Sequence, residues 1–339
     1  MKLTSEQIKN CTQGAIRVLE TDGYIRFLRF TEQECALISN PNLYYPASVQ
    51  IVFRTDGTAL HLKGRTSEKS GIRSYYSFDI FENSRPIGTI TNLQDEDAVG
   101  NYAEAVYPLG TFSAVFPLQS GEKQIRIRLP HSVLAELSEI TVADATYITP
   151  VRPAKKLAAY GDSITQGYDA LHPSNTYAVR LAEALGMELF NKSLGGAGFS
   201  PAMAAASGGV QADMLLVAYG TNDWGCCDRA GFISNASGFF ENLVRQYPEV
   251  PVYVLTPIWR KDHQTRVTSF GPFAELEEVL RAICEPYPTI HVISGLPLVP
   301  HDEAYFGDLR LHPNDAGFAE YATKLLTAIG SAGSSPSCT

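Results

Sequence analysis

The chain has 339 residues, 45% of them hydrophobic, and a formal net charge of −9, with a sequence pI near 5.3. That length exceeds the ~100–200 residues of a usual single domain, so two cores are expected. The acidic balance argues against nucleic acid or an anionic membrane surface as partner and leaves room for a neutral or cationic small molecule.

The first ten residues, from Met1 to Asn10, contain no apolar h-region, and no later run approaches the ~18 apolar residues of a spanning helix. A soluble, cytoplasmic protein without membrane insertion is therefore expected, with homo-oligomerisation left open. The six cysteines are Cys11, Cys35, Cys226, Cys227, Cys284 and Cys338. They form no C-x-x-C, and the adjacent pair Cys226-Cys227 suits neither tetrahedral zinc nor an easy disulfide. They read as reduced thiols, with oxidation of Cys226 or Cys227 as the minor alternative.

From Gly14 to Ile148 short alternating segments follow one another, among them 24–30, 48–53, 59–62, 75–81 and 124–129. Turn residues such as Thr55-Asp56-Gly57 and Glu82-Asn83-Ser84 separate them. Period-two alternation with one polar face predicts antiparallel strands packed as a β-sandwich. No clustered chemistry is visible in this region.

After Pro150-Val151-Arg152-Pro153 the rhythm changes to strand then helix. Strands are predicted at 157–160, 188–194, 214–219, 252–256 and 290–293. Helices are predicted at 176–185, 239–246, 273–284 and 314–329. Such alternation predicts a parallel sheet with helices on both faces, and a site at the carboxyl ends of the strands. The expected division is a sandwich domain at 1–150, a catalytic α/β domain at 151–330, and a disordered Ser/Gly-rich tail at 331–339.

Four loops at those strand ends carry residues suited to one chemistry. Gly161-Asp162-Ser163 follows the first strand, Gly195-Gly196-Ala197-Gly198 the second and Gly220-Thr221-Asn222-Asp223 the third, while Asp308-Leu309-Arg310-Leu311-His312-Pro313 precedes the last helix. Over about Lys156 to Ile329 these blocks resemble, in order and spacing, those of the SGNH or GDSL-type hydrolases. The resemblance implies a three-layer, flavodoxin-like α/β/α catalytic domain behind a jelly-roll-like sandwich, and a carboxylic ester hydrolase that needs no metal or cofactor. Ser163 would be the nucleophile and His312 its general base. The backbone N–H of Ser163, that of Gly196 and the side chain of Asn222 would form the oxyanion hole.

The acid departs from the family pattern. Where the family has Asp three residues before the His, this chain has Leu309, and the nearest acid is Asp308. Asp308 is the expected third member of the triad, with Asp302 or a Ser–His dyad as alternatives. Gly161-Asp162-Ser163-Ile164-Thr165 also lacks the last glycine of G-x-S-x-G, which separates it from the α/β-hydrolase elbow.

Each block also has a plain structural reading. Ser163 could cap a turn, His312-Pro313-Asn314-Asp315 could open a helix, and Asn222 could brace a loop. The glycine block lacks the Lys-Ser/Thr of a phosphate loop. His61 and His131 read as surface or core histidines of the sandwich, and His263 and His301 have no metal-ligand spacing to one another or to His312. Asp162, Tyr168, His172, Trp224 and Trp259 stand close enough to the blocks in sequence to be candidate substrate contacts, though the aromatics could equally be core.

The order of sandwich then SGNH domain resembles carbohydrate acetylesterases and SGNH acyltransferases. It implies hydrolysis of a short acyl ester, acetate foremost, of a carbohydrate or other small molecule. Acyl transfer to an alcohol and non-catalytic carbohydrate binding are the two alternatives.

Overall fold

A computed structural model describes residues 1–69, 73–94 and 102–333. The N-terminal part opens with helix α1 (Ser5–Cys11), whose Thr4 and Gln7 form a reciprocal capping box. The strands that follow are β1 (Thr12–Gln13), β2 (Arg17–Thr21), β3 (Tyr24–Leu28), β4 (Gln50–Thr55), β5 (Ala59–Lys69), β6 (Ser77–Glu82), β7 (Arg85–Thr91), β8 (Thr111–Pro117), β9 (Lys123–Arg128), β10 (Val133–Ala143) and β11 (Thr149–Pro150). Helix α2 (Glu32–Leu37) lies between β3 and β4 and is capped by a second box, Thr31 with Glu34.

These strands form two antiparallel sheets. One has the order β1-β4-β9-β6-β7 with β11 also on β4, and the other has the order β2-β3-β10-β5-β8. Between them lie Phe27, Ile51, Phe53, Leu60, Leu62, Phe78, Ile80, Ile125, Ile127, Leu137 and Ile140, all buried. Alternate residues of each strand reach this layer, as the sequence pattern requires. Strand β5 runs beyond the predicted 59–62 and β10 lies outside the segments singled out; the two pair through Lys63 with Glu139 and Arg65 with Glu136, and bulges interrupt their register.

The second part is a parallel sheet of β12 (Lys155–Gly161), β13 (Met187–Asn191), β14 (Met214–Ala218), β15 (Val252–Leu255) and β16 (Ile290–Ile293). Its order is β13-β12-β14-β15-β16. Along β12 the side chains alternate between two cores. Leu157 and Ala159 face α4 (Tyr177–Ala184) and α9 (Asp315–Gly333). Ala158 and Tyr160 face α7 (Arg229–Gln246) and α8 (Glu275–Cys284). The result is an α/β/α layer domain joined to a β-rich N-terminal domain. Helix α7 starts ten residues before its predicted beginning at 239, capped by Asp228 on the Gly231 N–H.

The Ser/Gly-rich end predicted to lack structure from residue 331 is helical to Gly333. Residues 334–339, with Cys338, lie outside the described residues. Cys11, Cys35, Cys226, Cys227 and Cys284 are free thiols.

Candidate active site

Three short helices complete the strand ends: α3 (Ser163–Gln166), α5 (Pro201–Ala205) and α6 (Thr221–Cys226). Ser163 is the first residue of α3. Asp162 caps that helix by accepting the Ile164 N–H at 2.9 Å, and Gly167, at φ 111°, ends it. Gly161 cannot be replaced by a larger residue, since a Cβ there would lie 2.2 Å from Thr165 Oγ1 and 3.0 Å from the Ala218 carbonyl. This close approach presses the serine turn onto β14. Asp162 is wholly enclosed, and burial pushes its carboxyl up to about 7 against the pull of the Ile164 N–H and His312.

Ser163 Oγ lies 2.8 Å from His312 Nε2, and His312 Nδ1 lies 2.7 Å from Asp308 Oδ2. A carboxylate accepts only, so the imidazole proton sits on Nδ1 and the Nε2 lone pair faces the serine. The displaced acid reaches the imidazole because Leu309 adopts φ 56°, a left-handed turn that absorbs the extra residue. Asp308 Oδ1 then accepts the N–H groups of Arg310, Leu311 and His312 at 3.0, 2.7 and 3.1 Å. Burial alone would raise the Asp308 carboxyl, but His312 and these N–H groups hold it below the usual carboxylate range. Asp302 instead caps a turn through the Ala304 N–H at 3.0 Å and does not meet the imidazole.

The Gly196 loop approaches this pair through Gly195, where a Cβ would lie 2.6 Å from the hydroxyl of Tyr168. Gly196 has φ 81° and an exposed backbone, and no hydrogen bond engages its N–H or that of Ser163 among the described residues. Asn222, on α6, donates one amide hydrogen to the Ala197 carbonyl at 2.9 Å. Asp223 accepts the Phe199 N–H at 3.0 Å, so the glycine loop and α6 are tied together. A cleft of about 480 Å³ opens from Gly196 and Asn222, walled by Ile38 and Asn40 of the N-terminal domain and by Phe199, Met203 and Cys226.

The remaining candidates separate. Tyr168 is at the site: its ring centroid is 5.6 Å from that of His312, and its hydroxyl accepts from Asn42 Nδ2 at 3.1 Å. Trp224 is not. It is fully buried, packs edge-on against Phe273 and donates its indole N–H to the Gly271 carbonyl. Trp259 belongs to the core as well, against Phe306 and His301. Both tryptophans follow strand ends, where chain position fails to tell a pocket wall from the helix packing beneath it. His172 is paired with Asp79 of β6 at 2.8 Å. That ion pair lies across the domain junction, and the Asp79 partnership raises the imidazole pKa.

The reading of the sandwich as free of clustered chemistry is corrected by the structure. Arg73 of the N-terminal domain lies 3.0 Å from His312 Nδ1 through its Nη2. It also forms a two-point ion pair with Asp169, at 2.8 and 3.1 Å. Asp169, Asp308 and His312 offer ligand atoms within 4.8 Å of one another, close enough for a metal. Arg73 already supplies the positive charge there, so the donor set does not suit a cation. Among the described residues no helix is long and apolar enough to cross a membrane.

Among curated proteins none matches the chain. Solved structures do. A salicylyl-acyltransferase, SsfX3, from a tetracycline biosynthetic pathway superposes with a TM-score of 0.78 at 19% identity, covering 96% of this chain and 95% of its own. A candidate GDSL-like lipase from Bacteroides ovatus gives 0.76 at 18%, covering 98% and 97%. A family two carbohydrate esterase from Cellvibrio japonicus gives 0.67 at 17%, again covering 98% and 97%. At these identities the likeness is one of fold, and it extends over both domains. In sequence, residues 159–319 match the GDSL-like lipase/acylhydrolase family. That span holds the serine turn, the glycine loop, Asn222 and His312, and the chain therefore carries a GDSL-like lipase/acylhydrolase domain behind its β-rich N-terminal domain.

Proposed function

We propose that the protein is a serine esterase that hydrolyses short acyl esters, acetate foremost, of a carbohydrate or other small molecule, with residues 1–150 as the sandwich domain and 151–330 as the catalytic domain. The observation that carries this reading is the chain of contacts from Ser163 Oγ to His312 Nε2 at 2.8 Å and from His312 Nδ1 to Asp308 at 2.7 Å. His312 takes the serine proton as Oγ attacks the ester carbonyl, and Asp308 stabilises the imidazolium that forms. The N–H groups of Ser163 and Gly196 and the second amide hydrogen of Asn222 receive the oxyanion. His312 then protonates the leaving alcohol; water, giving one proton to His312, adds to the acyl carbon, the bond to Oγ breaks as His312 returns that proton to Oγ, and the acid leaves, losing its remaining proton to solvent. The cleft beyond Gly196 and Asn222 gives the remainder of the substrate room.

The fold likeness to carbohydrate esterases and to an acyltransferase supports acyl-ester chemistry without fixing the acceptor. Hydrolysis and transfer share the acyl-serine and differ in what reaches it. Product analysis of p-nitrophenyl acetate and acetylated sugars, with and without added alcohols, tests the choice. Free acetate as the sole acyl product, alongside p-nitrophenol or the deacetylated sugar, is expected, and acyl transfer to an added alcohol in preference to water would overturn hydrolysis as the main activity. Ser163→Ala and His312→Ala are expected to lower turnover by at least about 10³-fold, with circular dichroism unchanged.

A further inference from the structure

Behind His312 the protein places more charge than a triad requires. Asp308 faces Nδ1 at 2.7 Å, and a second carboxylate, Asp169, lies 3.9 Å from the same nitrogen. Asp169 is fully buried and sits at φ 69°, uncommon for a residue with a side chain. The N-terminal domain holds it there. Tyr75 Oη accepts the Asp169 N–H at 2.8 Å, the Tyr102 hydroxyl donates to the Asp169 carbonyl, and Arg73 grips both carboxylate oxygens. Arg73 is itself largely buried, lies 3.8 Å from Asp308 and covers the Tyr168 ring at 5.0 Å. A guanidinium this close to Nδ1 could also donate to it, which would move the imidazole proton to Nε2 and leave the serine without a base. Asp308, nearer and acceptor-only, keeps the productive tautomer.

We propose that Arg73 and Asp169 are positioning residues for His312: the ion pair balances the charge behind the imidazole, and Asp308 is left to orient it. Through Arg73 the sandwich domain becomes part of the catalytic unit. The proposal rests on the Ser163–His312 reading of the site. The groups facing His312 are Asp308 on its own loop, Asp169 and Tyr168 after α3, Arg73 from the N-terminal domain, and Asp162 beside Ser163, while Tyr75 and Tyr102 stand behind Asp169 and hold it.

The consequence has a sign. Removing Arg73 leaves two carboxylates beside the imidazole without their counter-charge and favours imidazolium. Removing the Asp169 charge leaves Arg73 uncompensated and disfavours it. Single charges at this range move a pKa by about one unit or more.

The test is the acid limb of the pH profile of kcat/KM for p-nitrophenyl acetate, together with the pH dependence of fluorophosphonate labelling. Arg73→Met is expected to shift both limbs up by roughly one pH unit, and Asp169→Asn to shift both down. Arg73→Lys, which keeps the charge and loses the fork, leaves the limb in place and lowers kcat. Should Arg73→Met not fold, Arg73→Gln gives the same upward shift while retaining a donor toward Asp169. Limbs that coincide with the wild type in the Arg73 and Asp169 variants overturn the positioning role. Ser163→Ala is the control: labelling equal to wild type would overturn the reading of the site, whereas an inert Ser163→Ala with unmoved limbs overturns only this proposal.

Discussion

Leu309 decides whether the triad can close. One extra residue separates acid from base, and the chain absorbs it by placing Leu309 at φ 56°, a conformation that costs an L-residue about 1–2 kcal/mol. Three N–H groups on Asp308 Oδ1 offset that strain. Leu309→Gly is expected to leave kcat unchanged and to raise stability by up to ~1 kcal/mol, while Leu309→Val, stiff at its β-carbon, lowers both. Thermal melts and turnover measured on the two variants check this. Asp308→Asn should lower kcat by about 10³–10⁴-fold, with Asp302→Asn close to wild type. Equal losses in both variants would contradict the assignment of the acid.

Asp308 was legible in the sequence only by counting back from His312, because no pattern announces a left-handed leucine. Ser163, Gly196 and Asn222 were legible as candidates because their blocks follow apolar runs in the order and spacing that resemble the SGNH hydrolases. Arg73 was not, since it lies 239 residues from His312 and the period of a strand does not say where its connections dock.

Among the elements, α3 carries Ser163 and Asp162 sets its start. An aspartate normally caps a helix as an anion, yet this one is enclosed, with its pKa raised to about 7. Its raised folded-state pKa means that the protonated form is favoured in the native protein. The associated stability is fully present below the unfolded carboxyl pKa and is lost as pH rises through about 7. Asp162→Asn keeps the cap oxygen and removes the charge. Its melting temperature should exceed that of the wild type at pH 8 and converge with it near pH 4, as scanning calorimetry across that range would show. A constant difference at every pH would contradict the burial argument.

At this scale the five parallel strands were readable from apolar runs, since a strand buried on both faces needs no alternation. The long strand β5 was readable only at 59–62, and β10 was not singled out. Their polar face carries ion pairs that look like loop composition when their cross-strand partners are unknown.

Taken whole, the molecule is two domains joined by buried polar contacts. Arg29, almost fully buried, donates to the carbonyls of Asn42, Tyr45, Asn191 and Ser193 at 2.6 to 2.9 Å, and so ties the N-terminal domain to the end of β13. Lys192 and Glu34 form a fully buried ion pair at 2.7 Å across the same junction. Gln166 of α3 donates to the His131 carbonyl at 2.8 Å and accepts the Gly195 N–H at 2.8 Å, coupling the helix that begins at Ser163 to both the sandwich and the glycine loop. Arg29→Met would strand four carbonyls and is expected to lower global stability by roughly 3 kcal/mol or more, measured by urea denaturation. A loss below about 0.5 kcal/mol would contradict a rigid junction.

Such a junction explains how a sandwich residue can be held against His312. The central claim remains that Ser163 is made nucleophilic by His312. Peptide mass mapping after stoichiometric fluorophosphonate labelling tests it most directly. The account predicts one adduct, on Ser163, that is absent from Ser163→Ala and strongly slowed in His312→Ala. An unlabelled Ser163, or one labelled equally fast without His312, would contradict it.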